Sequence, residues 1–168
     1  DYFIRATYSI DDLVVDPDGI FKFGEPKVTI VAENNTSATI KITEAVFLTS
    51  PVIQDGIPVE VSPIPTLDWG ATNISPSDWV VEVVDANGQT VWGGFADDEN
   101  STKLVKLPKE QKSVEYNYDN MGDDLIPGKI YRWKVYASAD ASFQQEPLGW
   151  KLISTSEDAL GIFKVVAP

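Results

Sequence analysis

The sequence predicts an all-β fold, an antiparallel β-sandwich enlarged by extra strands on its N-terminal side. Three observations carry that expectation. Apolar and polar residues alternate with period two along most of the chain, turn residues punctuate the alternating runs, and Asn87-Gly88 stands between two such runs where a hairpin takes left-handed backbone.

The first run puts Tyr2, Ile4, Ala6, Tyr8 and Ile10 on one face and Arg5, Thr7 and Ser9 on the other. Asp16-Pro17-Asp18-Gly19 follows as turn chemistry, with Pro presetting φ and Gly accepting a positive one. Residues 27–48 read as a hairpin. Val28, Ile30 and Ala32 alternate, residues 33–37 turn, and Ile40, Ile42, Val46 and Leu48 alternate against Thr39, Lys41 and Thr43, with Glu44 marking a bulge or a strand end. Four prolines and a glycine between Pro51 and Pro65 make that stretch either a linker or an edge strand kept from pairing.

Beyond it, Leu67 and Trp69 share a face, as do Trp79, Val81 and Val83, and the Asn87-Gly88 turn leads into a return strand through Trp92. Val114, Tyr116 and Tyr118 alternate in a further run. Residues 141–161 are long and irregular, with at most one helical turn over 154–160, and 162–168 close the chain as a last strand.

Composition excludes several kinds of chemistry. Thirteen Lys and Arg against 26 Asp and Glu give a net charge of -13, which repels phosphate backbones and anionic lipid, so nucleic acid is not an expected partner. No apolar run reaches the roughly 20 residues of a membrane-spanning helix, so membrane insertion is not expected. The chain has no Cys and no His, which rules out disulfides, thiolate metal sites, a Cys nucleophile and a Ser-His-Asp triad. A start at Asp1 reads as a processed mature N-terminus or a domain fragment.

Leu125, Pro127, Gly128, Tyr131, Trp133, Val135 and Ala137 follow an L-x-P-G-x-x-Y-x-aromatic-x-V-x-A pattern that resembles the E–F corner and F strand of fibronectin type III domains. The resemblance implies that Tyr131 is the tyrosine of that corner, with its hydroxyl bonded to backbone just upstream. Residues 65–70 look like the family's B strand with its core Trp at Trp69, 79–88 like its C strand and 162–166 like its G strand, so the likeness spans roughly 57–166. The segment between Ala137 and Ile162 is longer than the family's F–G loop, and residues 1–51 precede the matching region. The expectation is one enlarged Ig-like sandwich over 1–168. The alternative gives 1–51 to a separate or shared unit and 52–168 to a fibronectin type III-like domain. Residues 81–92 are also similar to a bacterial intracellular proteinase inhibitor family of Ig-like fold.

Among the candidate sites, Asp16 and Asp18 offer hard oxygen ligands for Ca²⁺ and serve equally as solvated turn carboxylates. The EF-hand frame fails there, because the third ligand before the Gly and the terminal Glu are missing. No Gly-rich phosphate loop or G-x-S-x-G is present, so no catalytic residue is assigned, no cofactor is required and a non-enzyme is expected. Asn34, Asn35, Asn73 and Asn100 head Asn-x-Ser/Thr sequons and are glycosylation candidates, although Asn, Ser and Thr favour turns in any case. Trp69, Trp79 and Trp133 fall on core faces. Trp92 and Trp150 are left either as sugar-stacking platforms or as core and rim residues. Arg132, Lys134 and Tyr136 alternate against the Tyr131 face and form a cationic strip on an acidic protein.

The leading functional expectation is a non-catalytic, secreted or cell-surface structural or adhesive subunit that self-associates into an oligomer or filament. Tyr2, Ile4 and Tyr8 would be lent to a neighbour's sheet by strand addition. The alternative is a carbohydrate-binding module of a larger secreted protein acting through Trp92, Trp150 or Tyr136. A proteinase inhibitor docking an exposed loop at 95–103 is the third reading.

Overall fold

Strand after strand carries one large apolar face, and such faces are stable only when two sheets bury them against each other. The computed structural model describes residues 2–3, 27–31, 46–72, 74–94, 105–140, 151–156 and 160–167, which form β-strands and no helix. The strands are β1 (Tyr2–Phe3), β2 (Lys27–Val28), β3 (Val46–Ser50), β4 (Val59–Val61), β5 (Thr66–Ala71), β6 (Asp78–Asp85), β7 (Thr90–Gly93), β8 (Val105–Pro108), β9 (Ser113–Glu115), β10 (Ile130–Asp140), β11 (Lys151–Thr155) and β12 (Ile162–Val165).

One sheet has the order β3-β5-β9, all antiparallel. The other runs β4-β12-β10-β6-β7, with β11 pairing the far half of β10 beyond β12, and β8 pairing the first half of β6. β6 and β10 form its centre, antiparallel from Asp78↔Ser138 to Asp85↔Tyr131. β1 and β2 pair apart from both sheets, through Tyr2↔Val28 and Phe3↔Lys27.

Val46, Leu48, Leu67, Trp69 and Val114 from the first sheet meet Trp79, Val81, Val83, Trp133, Val135 and Phe163 from the second in one core. Trp69 and Trp79 touch edge to face with ring centroids 6.2 Å apart. Trp133 donates its indole N–H to the carbonyl of Pro51 at 2.7 Å, and Trp79 donates its own to the carbonyl of Lys109 at 3.0 Å, which satisfies two buried donors.

Several local expectations change. The Pro51–Pro65 stretch is not a linker, because β4 pairs in parallel with β12 at the sheet edge. Its prolines flank the pairing residues, so no ladder donor is lost. Residues 151–155 are strand and Ser156 bridges to Val46, so the described start of the 154–160 stretch is not the helical turn considered for it, and 157–159 lie outside the described residues. In the β6–β7 turn only Gly88 takes positive φ, at 81°, while Asn87 does not. The reason is Asp85, whose Oδ1 accepts from the backbone N–H groups of Asn87 and Gln89, both at 2.8 Å, and so holds a longer loop with a single left-handed residue. These bonds to its charged form also keep the Asp85 carboxyl below its usual range. Of the 27–48 hairpin, residues 32–45 lie outside the described residues.

Candidate functional site

The strongest grouping of polar side chains stands on the outer face of the β6–β10 pair. Alternation turns Tyr131, Trp133, Val135 and Ala137 into the core, and Arg132, Lys134 and Tyr136 the other way. Register sets Lys134 opposite Glu82, Arg132 opposite Val84 and Tyr136 opposite Val80. A shallow depression of about 180 Å³ is lined by Glu82, Val84, Gly88, Arg132, Lys134 and Tyr136.

Glu82 is fixed from two sides. Its Oε2 accepts from the Tyr136 hydroxyl at 2.9 Å and its Oε1 from the Thr90 hydroxyl at 3.1 Å. Lys134 Nζ lies 5.9 Å from the centre of the Tyr136 ring. Elsewhere on this face Lys106 pairs with Asp78 at 3.4 Å and Lys164 with Glu60 at 2.9 Å. Among the described residues Arg132 forms no ion pair, and the neighbouring Ile130 is exposed. The face can bind a carboxylate or another anion by charge and by the planar Arg fork.

A second feature is the β9–β10 connection, whose Tyr131 end the sequence resemblance marks and whose Tyr116 to Asp124 part it does not. The Tyr116 hydroxyl donates to the Asp123 carbonyl at 2.6 Å, and the Ile126 N–H donates to the Tyr131 hydroxyl at 3.0 Å. Asn117 accepts the Gly122 N–H at 2.7 Å, and Asp119 accepts both the Trp92 indole N–H at 2.9 Å and the Met121 N–H at 3.2 Å. Asn117 and Asn120 take the left-handed conformation that Asn tolerates. The loop so fixed exposes Tyr118, Met121 and Ile126 beside exposed Asp123 and Asp124. Burial pushes the Tyr116 phenol far up, and the negative charge of Asp123 adds to the shift. Burial, then Asp119, raises Tyr118 in the same direction.

Two contact candidates change character. Trp92 is fully buried, touching Tyr116 edge to face at 5.1 Å, so it is a core residue and not an exposed platform. Gly122, having no side chain, leaves the space that the Trp92 ring fills. Tyr136 is only 6% exposed and commits its hydroxyl to Glu82, so it shapes the face from within and offers no ring to a ligand. Tyr2 belongs to β1, paired with β2 of its own chain. Ile4, Tyr8, Asp16, Asp18, Asn34, Asn35, Asn73, Asn100, Trp150 and the 95–103 loop lie outside the described residues.

Among the described residues no group of three acidic side chains is placed to hold a metal ion. Glu82, Thr90 and the Tyr116 to Asp124 loop are the additions that structure makes to the sequence reading. Glu82 had a signal, being the lone charge in the apolar run 79–84, whereas the loop is tied to Trp92 through Asp119, 27 positions further along the chain. Comparison with protein-family models, with curated proteins and with solved structures returned no match.

Proposed function

We propose that the chain is a non-catalytic, fibronectin type III-like building block that works through protein contacts, self-associating into a structural or adhesive assembly outside the cell or on its surface. The observation that carries this reading is Arg132. Among the described residues it forms no ion pair, and it stands on a formed sheet face of a chain whose net charge is -13, so the most abundant matching surface is that of another acidic protein, its own copies included. The Ig-like part of the reading is supported by the order β3-β5-β9 against a sheet centred on β10, and by the Ile126 to Tyr131 hydrogen bond at the turn into β10.

The N-terminal strand is the proposed second contact. Among the described residues β1 pairs with β2 at Tyr2↔Val28 and Phe3↔Lys27, and strand addition would exchange that pairing for a neighbour's sheet edge. Electron microscopy and light scattering on the whole chain, and on the chain lacking residues 1–10, test the proposal. Oligomers or filaments that shorten or vanish on deletion support strand addition. Assembly that survives deletion removes strand addition and keeps the charged face, and a strict monomer at every concentration removes the proposal itself.

A further inference from the structure

We propose that copies of this chain associate head to tail, the rigid acidic loop between β9 and β10 of one copy docking on the Ile130, Arg132 and Lys134 face of the next. The inference rests on the self-association proposed above and adds its geometry and symmetry.

The two surfaces are complementary in kind. The loop carries three acids, Asp119, Asp123 and Asp124, and no cation between Tyr116 and Ile126, around the exposed apolar side chains of Tyr118, Met121 and Ile126. The β10 face offers Arg132 and Lys134 beside exposed Ile130 and a depression of about 180 Å³. Neither Asp123 nor Asp124 forms an ion pair within the described residues, and neither does Arg132, so charge of both signs is left over on one molecule.

Electrostatics then selects the symmetry. A two-fold contact through the β10 face would set Arg132 and Lys134 against their own counterparts, and one through the loop would set Asp123 and Asp124 against theirs. Like charges in register oppose such contacts, whereas loop on face puts acids against cations and Tyr118 and Met121 against Ile130. A heterologous contact of that kind leaves an unused loop at one end and an unused face at the other, so it extends into a ring or a filament. Rigidity favours the loop as the inserted partner. Its hydrogen bonds to Trp92, Tyr116, Asn117 and Tyr131 fix it before contact, so little conformational entropy is lost on docking.

Charge exchange tests this directly. R132E/K134E and D123K/D124K are prepared in the full chain, with R132Q/K134Q and D123N/D124N as neutral variants should either reversal fail to fold, and each mass is followed by light scattering. Each reversed variant alone should lose self-association by more than about tenfold, and the equimolar mixture should regain it with strict alternation of the two variants. The neutral variants should each weaken assembly, and their mixture should stop at heterodimers joined through the one loop and the one face left unaltered. A folded mixture that stays monomeric overturns the docking geometry, as does either reversed variant assembling like the parent chain. A parent chain that never assembles removes the underlying reading instead, so the two failures are distinguishable.

Discussion

The hydroxyl of Tyr116 donates to the carbonyl of Asp123 across 2.6 Å, from a ring that is 2% exposed at the end of β9. Fifteen positions later in the chain, the Tyr131 hydroxyl accepts from the Ile126 N–H at 3.0 Å. One phenol donates and the other accepts, so both polar backbone groups of the connection are satisfied while the rings stay in the core. The Tyr131 ring stacks on Phe163 at 5.9 Å, which ties the corner to the last strand.

Removing the Tyr116 hydroxyl in Tyr116→Phe leaves the Asp123 carbonyl short of a partner and should lower stability by about 1–2 kcal/mol. Urea unfolding measures it. Tyr118→Phe, at a ring that is half exposed, should change stability by less than about 0.5 kcal/mol. Equal effects at the two positions would mean that the Tyr116 hydrogen bond does not hold the loop.

The same residue sets an alkaline limit. The folded state raises the Tyr116 phenol above the 10.0 of a free tyrosine, first through burial and then through Asp123. The stability it contributes is therefore complete below about pH 10 and is lost as the pH rises further, because the unfolded chain gives up its proton first. Urea midpoints from about pH 8 to about pH 11 should fall, and the fall should be shallower in Tyr116→Phe. An identical slope in both proteins would assign the alkaline loss to other groups.

Period two made most of the fold legible. Val46 and Leu48, Leu67 and Trp69, Trp79, Val81 and Val83, and Tyr131, Trp133, Val135 and Ala137 all face the core as their alternation requires. The rule fails at Val80, Tyr136 and Ser138, which alternate outward and are nonetheless buried. Alternation assumes one wet face, and the two central strands are covered on both sides there. Trp92 was illegible for another reason, since its partners Asp119 and Tyr116 are contributed by a loop more than twenty residues away. The parallel β4–β12 edge was equally hidden, because nothing local in Val59–Val61 encodes a partner at the opposite end of the sequence. At the candidate site the cations were readable one by one. The hold of Tyr136 and Thr90 on Glu82 was not.

Trp92→Ala should act on folding and not on a ligand. Truncating this buried ring removes its contacts with Tyr116, Tyr118 and Gly122 and should cost about 3–5 kcal/mol. Thermal unfolding checks the loss. A stable Trp92→Ala protein that has lost affinity for a polysaccharide would return Trp92 to a binding role.

Gly161→Ala probes the crossing between the sheets. A Cβ there meets the carbonyl oxygen of Trp133 and comes within 2.7 Å of Leu48 Cδ1, so backbone must shift. The Gly161 carbonyl also accepts the Trp133 N–H at 2.8 Å, and that bond would shift with it. The expected cost is about 1–3 kcal/mol by urea unfolding, with a native-like far-ultraviolet spectrum retained. An unchanged midpoint would contradict the close packing of Gly161 on β10.

Self-association through oppositely charged surfaces is tested most directly by sedimentation equilibrium of the whole chain over a concentration series, at about 0.01 M and about 1 M salt, where screening lengths are near 30 Å and 3 Å. The weight-average mass should rise above 18.5 kDa with concentration at low salt and fall back toward it at high salt. A mass that stays at 18.5 kDa under every condition contradicts self-association. A rise that ignores salt contradicts the part assigned to Arg132, Lys134, Asp123 and Asp124.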